Sequence, residues 1–141
     1  MPLLEKSIKV AGKMLPKVVS PAGHAIADYS TALLFLIGAG LFWKKSNRAA
    51  VASLVCGVAE AGVAALTDYP GGLKDAISFP LHRKIDFGLS TMAASMPEFL
   101  AFDNEKERAF FRIQSLVIAG AAVITDFGAA DSAAEREKEV A

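Results

Sequence analysis

The sequence predicts an all-α protein: a bundle of four transmembrane helices, made of two tandem, parallel helical hairpins and preceded by an amphipathic N-terminal helix. Three observations predict it. Four apolar stretches have the length of a bilayer span. Polar or Pro/Gly-rich connectors separate them. The chain also overlays itself at an offset of 58 residues, without a gap.

The N-terminal segment, residues 1–19, carries Lys6, Lys9, Lys13 and Lys17 on one face, and Leu4, Ile8, Ala11 and Leu15 on another. This is the pattern of a basic amphipathic helix lying on an anionic membrane surface. Pro16 ends it. The segment has no continuous apolar core and does not read as a cleavable signal peptide.

The first hairpin repeat covers residues 20–72. Its first apolar stretch runs from Ala25 to Trp43 and contains no polar residue between Ala32 and Trp43. A soluble amphipathic helix would show a polar stripe every three or four residues. The second stretch runs from Ala49 to Thr67, with Glu60 its only charge. Lys44 to Arg48 form the polar turn between them.

The second repeat covers residues 73–130. Its apolar stretches run from Ile85 to Phe102, interrupted by Asp86, Pro97 and Glu98, and from Ala109 to Thr125, with Arg112 near its start. Asp103 to Arg108 form the turn. A bilayer core needs about 17–25 residues of helix, and all four stretches lie at the short end. Pro70, Gly71, Gly72 and Pro80 break the helices between the repeats. The tail, residues 131–141, is charged and reads as solvated. The whole is one domain.

Composition agrees. The chain has 141 residues, is 53% hydrophobic and has a formal net charge of zero. It carries no basic stripe interleaved with aromatics, so nucleic acid is not an expected partner. The expected partners are the lipid bilayer and either a second copy of the chain or another membrane protein. Cys56, the single cysteine, reads as a small packing residue.

The repeat is carried by polar residues. His24 falls on His82, Asp28 on Asp86, and Thr67-Asp68-Tyr69 on Thr125-Asp126-Phe127. Two helices per unit bring both units into the membrane from the same side. His24, Asp28, Asp68, His82, Asp86 and Asp126 should therefore gather at one membrane face, and they are the candidate metal ligands. Ser20 and Ser78 precede each histidine by four residues and read as helix caps.

With these runs the sequence resembles small bacterial membrane proteins of the SPW-repeat type. The matching elements are His24 to Tyr29, Thr67 to Tyr69 and His82 to Asp86. The name-giving Ser-Pro-Trp element reads Ser95-Met96-Pro97-Glu98 here. The resemblance implies a multi-pass membrane protein and carries no settled activity.

The leading functional reading is a structural or accessory role, with each histidine tied to an aspartate. The alternative is a metal-binding membrane protein or metal-dependent membrane enzyme, because carboxylate and imidazole together suit zinc, manganese or iron. Proton or solute handling is a third reading, disfavoured because no polar ladder continues beyond Glu60 on its helix. No nucleophile triad or phosphate loop stands out, so enzyme status stays open. The N-terminal lysines place both termini and the cluster on the cytoplasmic side. Glu98 and Arg112 lie at similar depth on successive antiparallel helices and are expected to pair near the far interface.

Overall fold

In a computed structural model the described residues 14–128 include four long helices: α1 (Pro21–Phe42), α2 (Asn47–Ala65), α3 (Phe79–Phe99) and α4 (Glu105–Ile124). The structure describes residues 14–128 and, outside that run, residues 2, 3, 6, 7, 10, 139 and 140. Lys6 and Val10 are helical and exposed. Lys9 and Lys13, and most of the tail, lie outside the described residues.

Local chemistry explains the helix ends. Ser20 Oγ accepts from Gly23 N at 3.1 Å and Ser46 Oγ from Ala49 N at 3.3 Å. Asn104 Oδ1 accepts from Lys106 N at 2.8 Å. These side chains satisfy first-turn amides that have no partner within the helix. Ser78 occupies the cap position of α3 but makes no side-chain cap bond. Pro21 and Pro80 sit in the first turns of α1 and α3, where a missing N–H costs nothing. In the linker after α2, Gly71 has φ of 107°, and a Cβ on Gly72 would collide with the Thr67 carbonyl.

α1 packs along α2, and α3 along α4, as two antiparallel hairpins. The hairpins meet through α1 with α4 and α2 with α3, so α1 and α3 stand on one diagonal. Small residues line the helix contacts: Ala32, Ala39, Ala49, Ala50, Ala52, Ala64, Ala93 and Ala122 are all buried. One apolar cluster, around Phe35, Phe102 and Phe111, fills the half of the bundle near the hairpin turns. A second, with Ala25, Ala64, Tyr69, Phe79 and Phe127, lies at the other end.

Backbone pairing stitches that other end together. Asp68 N donates to Ile77 O, and Asp126 N donates to Val19 O, both at 2.9 Å. Ile77 N donates to Leu66 O at 2.8 Å, and Val19 N to Ile124 O at 3.2 Å. The two bonds between Ile77 and residues 66–68 are repeated between Val19 and residues 124–126. The segment leading into each histidine helix is thus clamped to the end of a neighbouring helix.

The bundle's exterior is apolar. Leu33, Leu34, Ile37 and Leu41 of α1, Val51, Leu54, Val55 and Val58 of α2, and Ile113, Leu116 and Val117 of α4 are exposed. Its interior holds His24, Asp28, Thr31, Ser53, Glu60, His82, Asp86, Gln114 and Ser115. α1 and α2 are long and apolar enough to cross a membrane by length and composition. α3 and α4 fall short of that hydropathy, although all four were expected to reach it. Their interruptions are visible: Arg112 bridges Glu98 at 3.1 Å and Glu105 at 3.3 Å, and Arg108 reaches Glu98 at 3.1 Å. The Glu98–Arg112 pair is therefore present, as part of a small surface network.

Candidate metal centre

The site begins with helix periodicity. His24 and Asp28 stand one turn apart on α1, and His82 and Asp86 stand one turn apart on α3, so each pair shares a face. The diagonal arrangement turns the two faces toward each other. All four side chains are buried, His24 at 0% and His82 at 1% relative exposure. Each offers one ligand atom, and these atoms lie within 4.8 Å of one another.

The geometry is crossed between hairpins. His24 Nε2 lies 3.1 Å from Asp86 Oδ2 and 3.4 Å from Asp28 Oδ1. His82 Nε2 lies 3.1 Å from both Asp28 Oδ2 and Asp86 Oδ1. The two Nε2 atoms are themselves 3.1 Å apart.

Two threonines fix Nδ1 of each ring as a proton donor and leave Nε2 facing inward. Thr125 Oγ1 is 2.7 Å from His24 Nδ1, and Thr67 Oγ1 is 2.7 Å from His82 Nδ1. A hydroxyl has one proton. Thr125 gives its proton to Ala121 O and Thr67 to Val63 O, each at 2.6 Å. Each hydroxyl must therefore accept from Nδ1–H. A neutral imidazole protonated at Nδ1 presents its Nε2 lone pair to the centre. This is how an outer partner orients a metal-binding histidine.

With both rings neutral, the centre holds two imidazole lone pairs and two carboxylates, all acceptors at contact distance, and a positive charge, either protons on Nε2 or a metal ion, has to join them. A four-coordinate ion with bonds of about 2.0–2.2 Å separates neighbouring ligand atoms by about 3.3–3.6 Å; here each histidine meets a different oxygen of each carboxylate at 3.1–3.4 Å, and one ligand atom from each of the four residues lies within 4.8 Å of the others. The set also has the right chemistry: two nitrogens and two carboxylate oxygens suit zinc, manganese or iron.

The two halves differ. Tyr69 donates its hydroxyl to Asp28 Oδ2 at 2.7 Å. Burial, with the Asp28 carboxylate beside it, holds that hydroxyl well above the usual phenol range, so it stays a donor. Phe127 stands at the equivalent position by Asp86 and has no hydroxyl. Asp86 Oδ1 accordingly lacks a well-formed hydrogen bond, despite its closeness to His82. Phe79 and Phe127 stack at 4.4 Å between ring centroids, and both contact His24 edge-on, closing an aromatic lid.

Asp68 and Asp126 do not join this group. Both are exposed, and Asp126 Oδ1 accepts from Gly128 N at 2.9 Å. The chain leaves the helix just before them, so Thr67 and Thr125 turn inward and the following aspartates turn out. Four of the six expected ligands thus converge, and the threonines take the inner places.

Glu60, read from the sequence only as the limit of the polar ladder on its helix, belongs to the surroundings of the site. It is buried at 3% exposure, its Oε2 has no hydrogen-bond partner, and it lies within electrostatic reach of Asp28, Asp86 and His82. It stands seven residues before Thr67, two turns deeper on the same face. That spacing is the signal that could have found it.

No family model, curated protein or solved structure matches the chain.

Proposed function

We propose that this chain is a small four-span membrane protein that binds one divalent metal ion through His24, Asp28, His82 and Asp86. The observation that carries the reading is the 3.1 Å approach of the two Nε2 atoms, with Nδ1–H of each ring already committed to a threonine. An ion of charge two neutralises two aspartates and accepts both lone pairs. Zinc suits the donor set, two imidazole nitrogens and two carboxylates from four side chains.

The membrane part rests on the inverted distribution of side chains. Large aliphatic residues cover the outside and polar ones fill the inside, the reverse of a soluble bundle. Small residues at the helix contacts suit packing in lipid. The two tandem hairpins give the site its near-symmetry, and the basic N-terminal segment favours a cytoplasmic location for the metal end. The SPW-repeat resemblance points the same way.

The competing reading is structural. Two protons in place of the ion make two imidazolium–carboxylate pairs that tie the hairpins together, and the 3.1 Å nitrogen–oxygen distances would suit it. Elemental analysis of detergent-purified protein separates the two. About one metal ion per chain, lost in a His24→Ala/His82→Ala double variant, supports the metal reading. Metal content no higher in the parent than in that variant, after zinc, manganese and iron have each been supplied, would remove it.

A further inference from the structure

A second polar feature lies at the opposite end of the bundle, between the two hairpin turns. It is a cavity of about 690 Å³, lined by Lys44, Lys45, Arg48, Asp103, Asn104 and Glu107 among others. The α1–α2 turn and the start of α4 form its walls. Arg48 is spoken for, donating to Leu100 O at 3.0 Å and Asp103 at 3.3 Å. Lys44 and Lys45 pair with no carboxylate among the described residues. The first turn of α2 points its amides to the same place, with Ser46 satisfying only that of Ala49.

Glu107 is the unusual member. It lines the cavity and has 3% relative exposure, its carboxylate makes no hydrogen bond or ion pair among the described residues, and its oxygens are not sealed from the cavity. A largely buried carboxylate that opens only onto a cavity favours a cationic group there. A purely anionic ligand would sit well on the lysines and badly on Glu107. A ligand with a phosphate and an amine satisfies both.

We propose that this cavity binds a zwitterionic phospho-amine of the phosphoethanolamine class. Lys44, Lys45 and the first-turn amides of α2 hold the phosphate, and Glu107 takes the ammonium. Trp43 and Phe99, 57% and 82% exposed, flank this end as interfacial anchors do, which favours a membrane phospholipid as the source. The proposal does not depend on the metal centre.

Trp43 is the only tryptophan and adjoins Lys44, so its emission reports on the cavity. Full-length protein in detergent is titrated with short-chain phosphatidylethanolamine, short-chain phosphatidylglycerol and soluble phosphoethanolamine. The ethanolamine lipid should bind about tenfold more tightly than the glycerol lipid. Glu107→Gln should bring that ratio to about one, and Lys44→Ala/Lys45→Ala should weaken both lipids about tenfold. Soluble phosphoethanolamine that competes at the lipid's own concentration assigns the ligand to a free phospho-amine. If it competes only in large excess, the ligand is the lipid. Equal binding of the two lipids by the parent, or an unchanged titration in the lysine variant, overturns the proposal. Both lysines are exposed, so that variant folds even where Glu107→Gln does not. Metal content measured on the same samples keeps the two sites' outcomes apart.

Discussion

His24 Nδ1 lies 2.7 Å from Thr125 Oγ1, across 101 residues of chain. The contact joins the start of the first hairpin to the end of the second, and His82 with Thr67 repeats it between α3 and the end of α2. Because each threonine has spent its proton on its own helix, the two contacts dictate ring protonation as well as position.

Removing the threonine hydroxyls should therefore act through the rings. Thr67→Val or Thr125→Val leaves a buried Nδ1–H without an acceptor, at about 1–3 kcal/mol in stability. Metal affinity should fall about 10–100-fold, the usual effect of losing an outer partner. Calorimetric titration with zinc reads both; unchanged affinity in both variants contradicts the assigned tautomer.

The near-symmetry makes a second test. Tyr69→Phe removes the one hydroxyl among the described residues that donates to Asp28, and Phe127→Tyr offers Asp86 an equivalent hydroxyl. The first change should weaken metal binding about tenfold, while the second should not weaken it. Equal losses in the two variants would mean that aromatic packing, not the hydrogen bond, matters at these positions.

The metal and structural readings carry opposite pH signs. A metal needs both Nε2 atoms deprotonated, so metal-dependent stabilisation is present at higher pH and fades as pH falls through the imidazole range, about pH 5–8. An imidazolium tie needs those protons, so its stabilisation is full below the free imidazole value of about 6.5 and fades as pH rises above it. Thermal melts with and without zinc across that range distinguish the two slopes.

Helix packing supplies a prediction away from the site. A Cβ on Gly57 would come within 3.1 Å of the Ala32 carbonyl, and one on Gly38 within 2.9 Å of Ser53 Oγ. Ser53 cannot retreat freely, since it donates to Phe35 O at 2.6 Å. Gly38→Ala and Gly57→Ala should each cost about 1–3 kcal/mol. Gly40 and Gly62 have open space at the same position, and alanine there should be neutral or gain about 0.5–1 kcal/mol from helix propensity. Denaturation in mild detergent ranks the four.

Orientation is tested with reporters. A fusion at the N-terminal lysine-rich segment should report a cytoplasmic location, and one inserted in the turn at Ser46 an external one. The reverse result overturns the orientation drawn from the lysines.

The sequence by itself determined the helices and the polar core. Span-length apolar runs, the cap at Ser20 and breakers at Pro70 to Gly72 are local signals, and each follows from backbone geometry or hydropathy over a few turns; Ser78, read as a cap by the same signal, holds the position without the side-chain bond. The spacing of His24 with Asp28, and of His82 with Asp86, was equally legible, because a helix puts residues four apart on one face. Only the tertiary structure decided which of the Thr-Asp neighbours faces inward. A rotation of about 100° per residue separates adjacent helical side chains, and at a helix end the exit of the chain sets that rotation. The clamp of Ile77 on Leu66 and of Val19 on Ile124 fixes it, so Thr67 and Thr125 turn in and Asp68 and Asp126 turn out. Glu60 likewise became part of the site's surroundings only when α2 was placed against the diagonal of α1 and α3: its seven-residue spacing from Thr67 puts the two on one face of α2, and packing decides what that face meets.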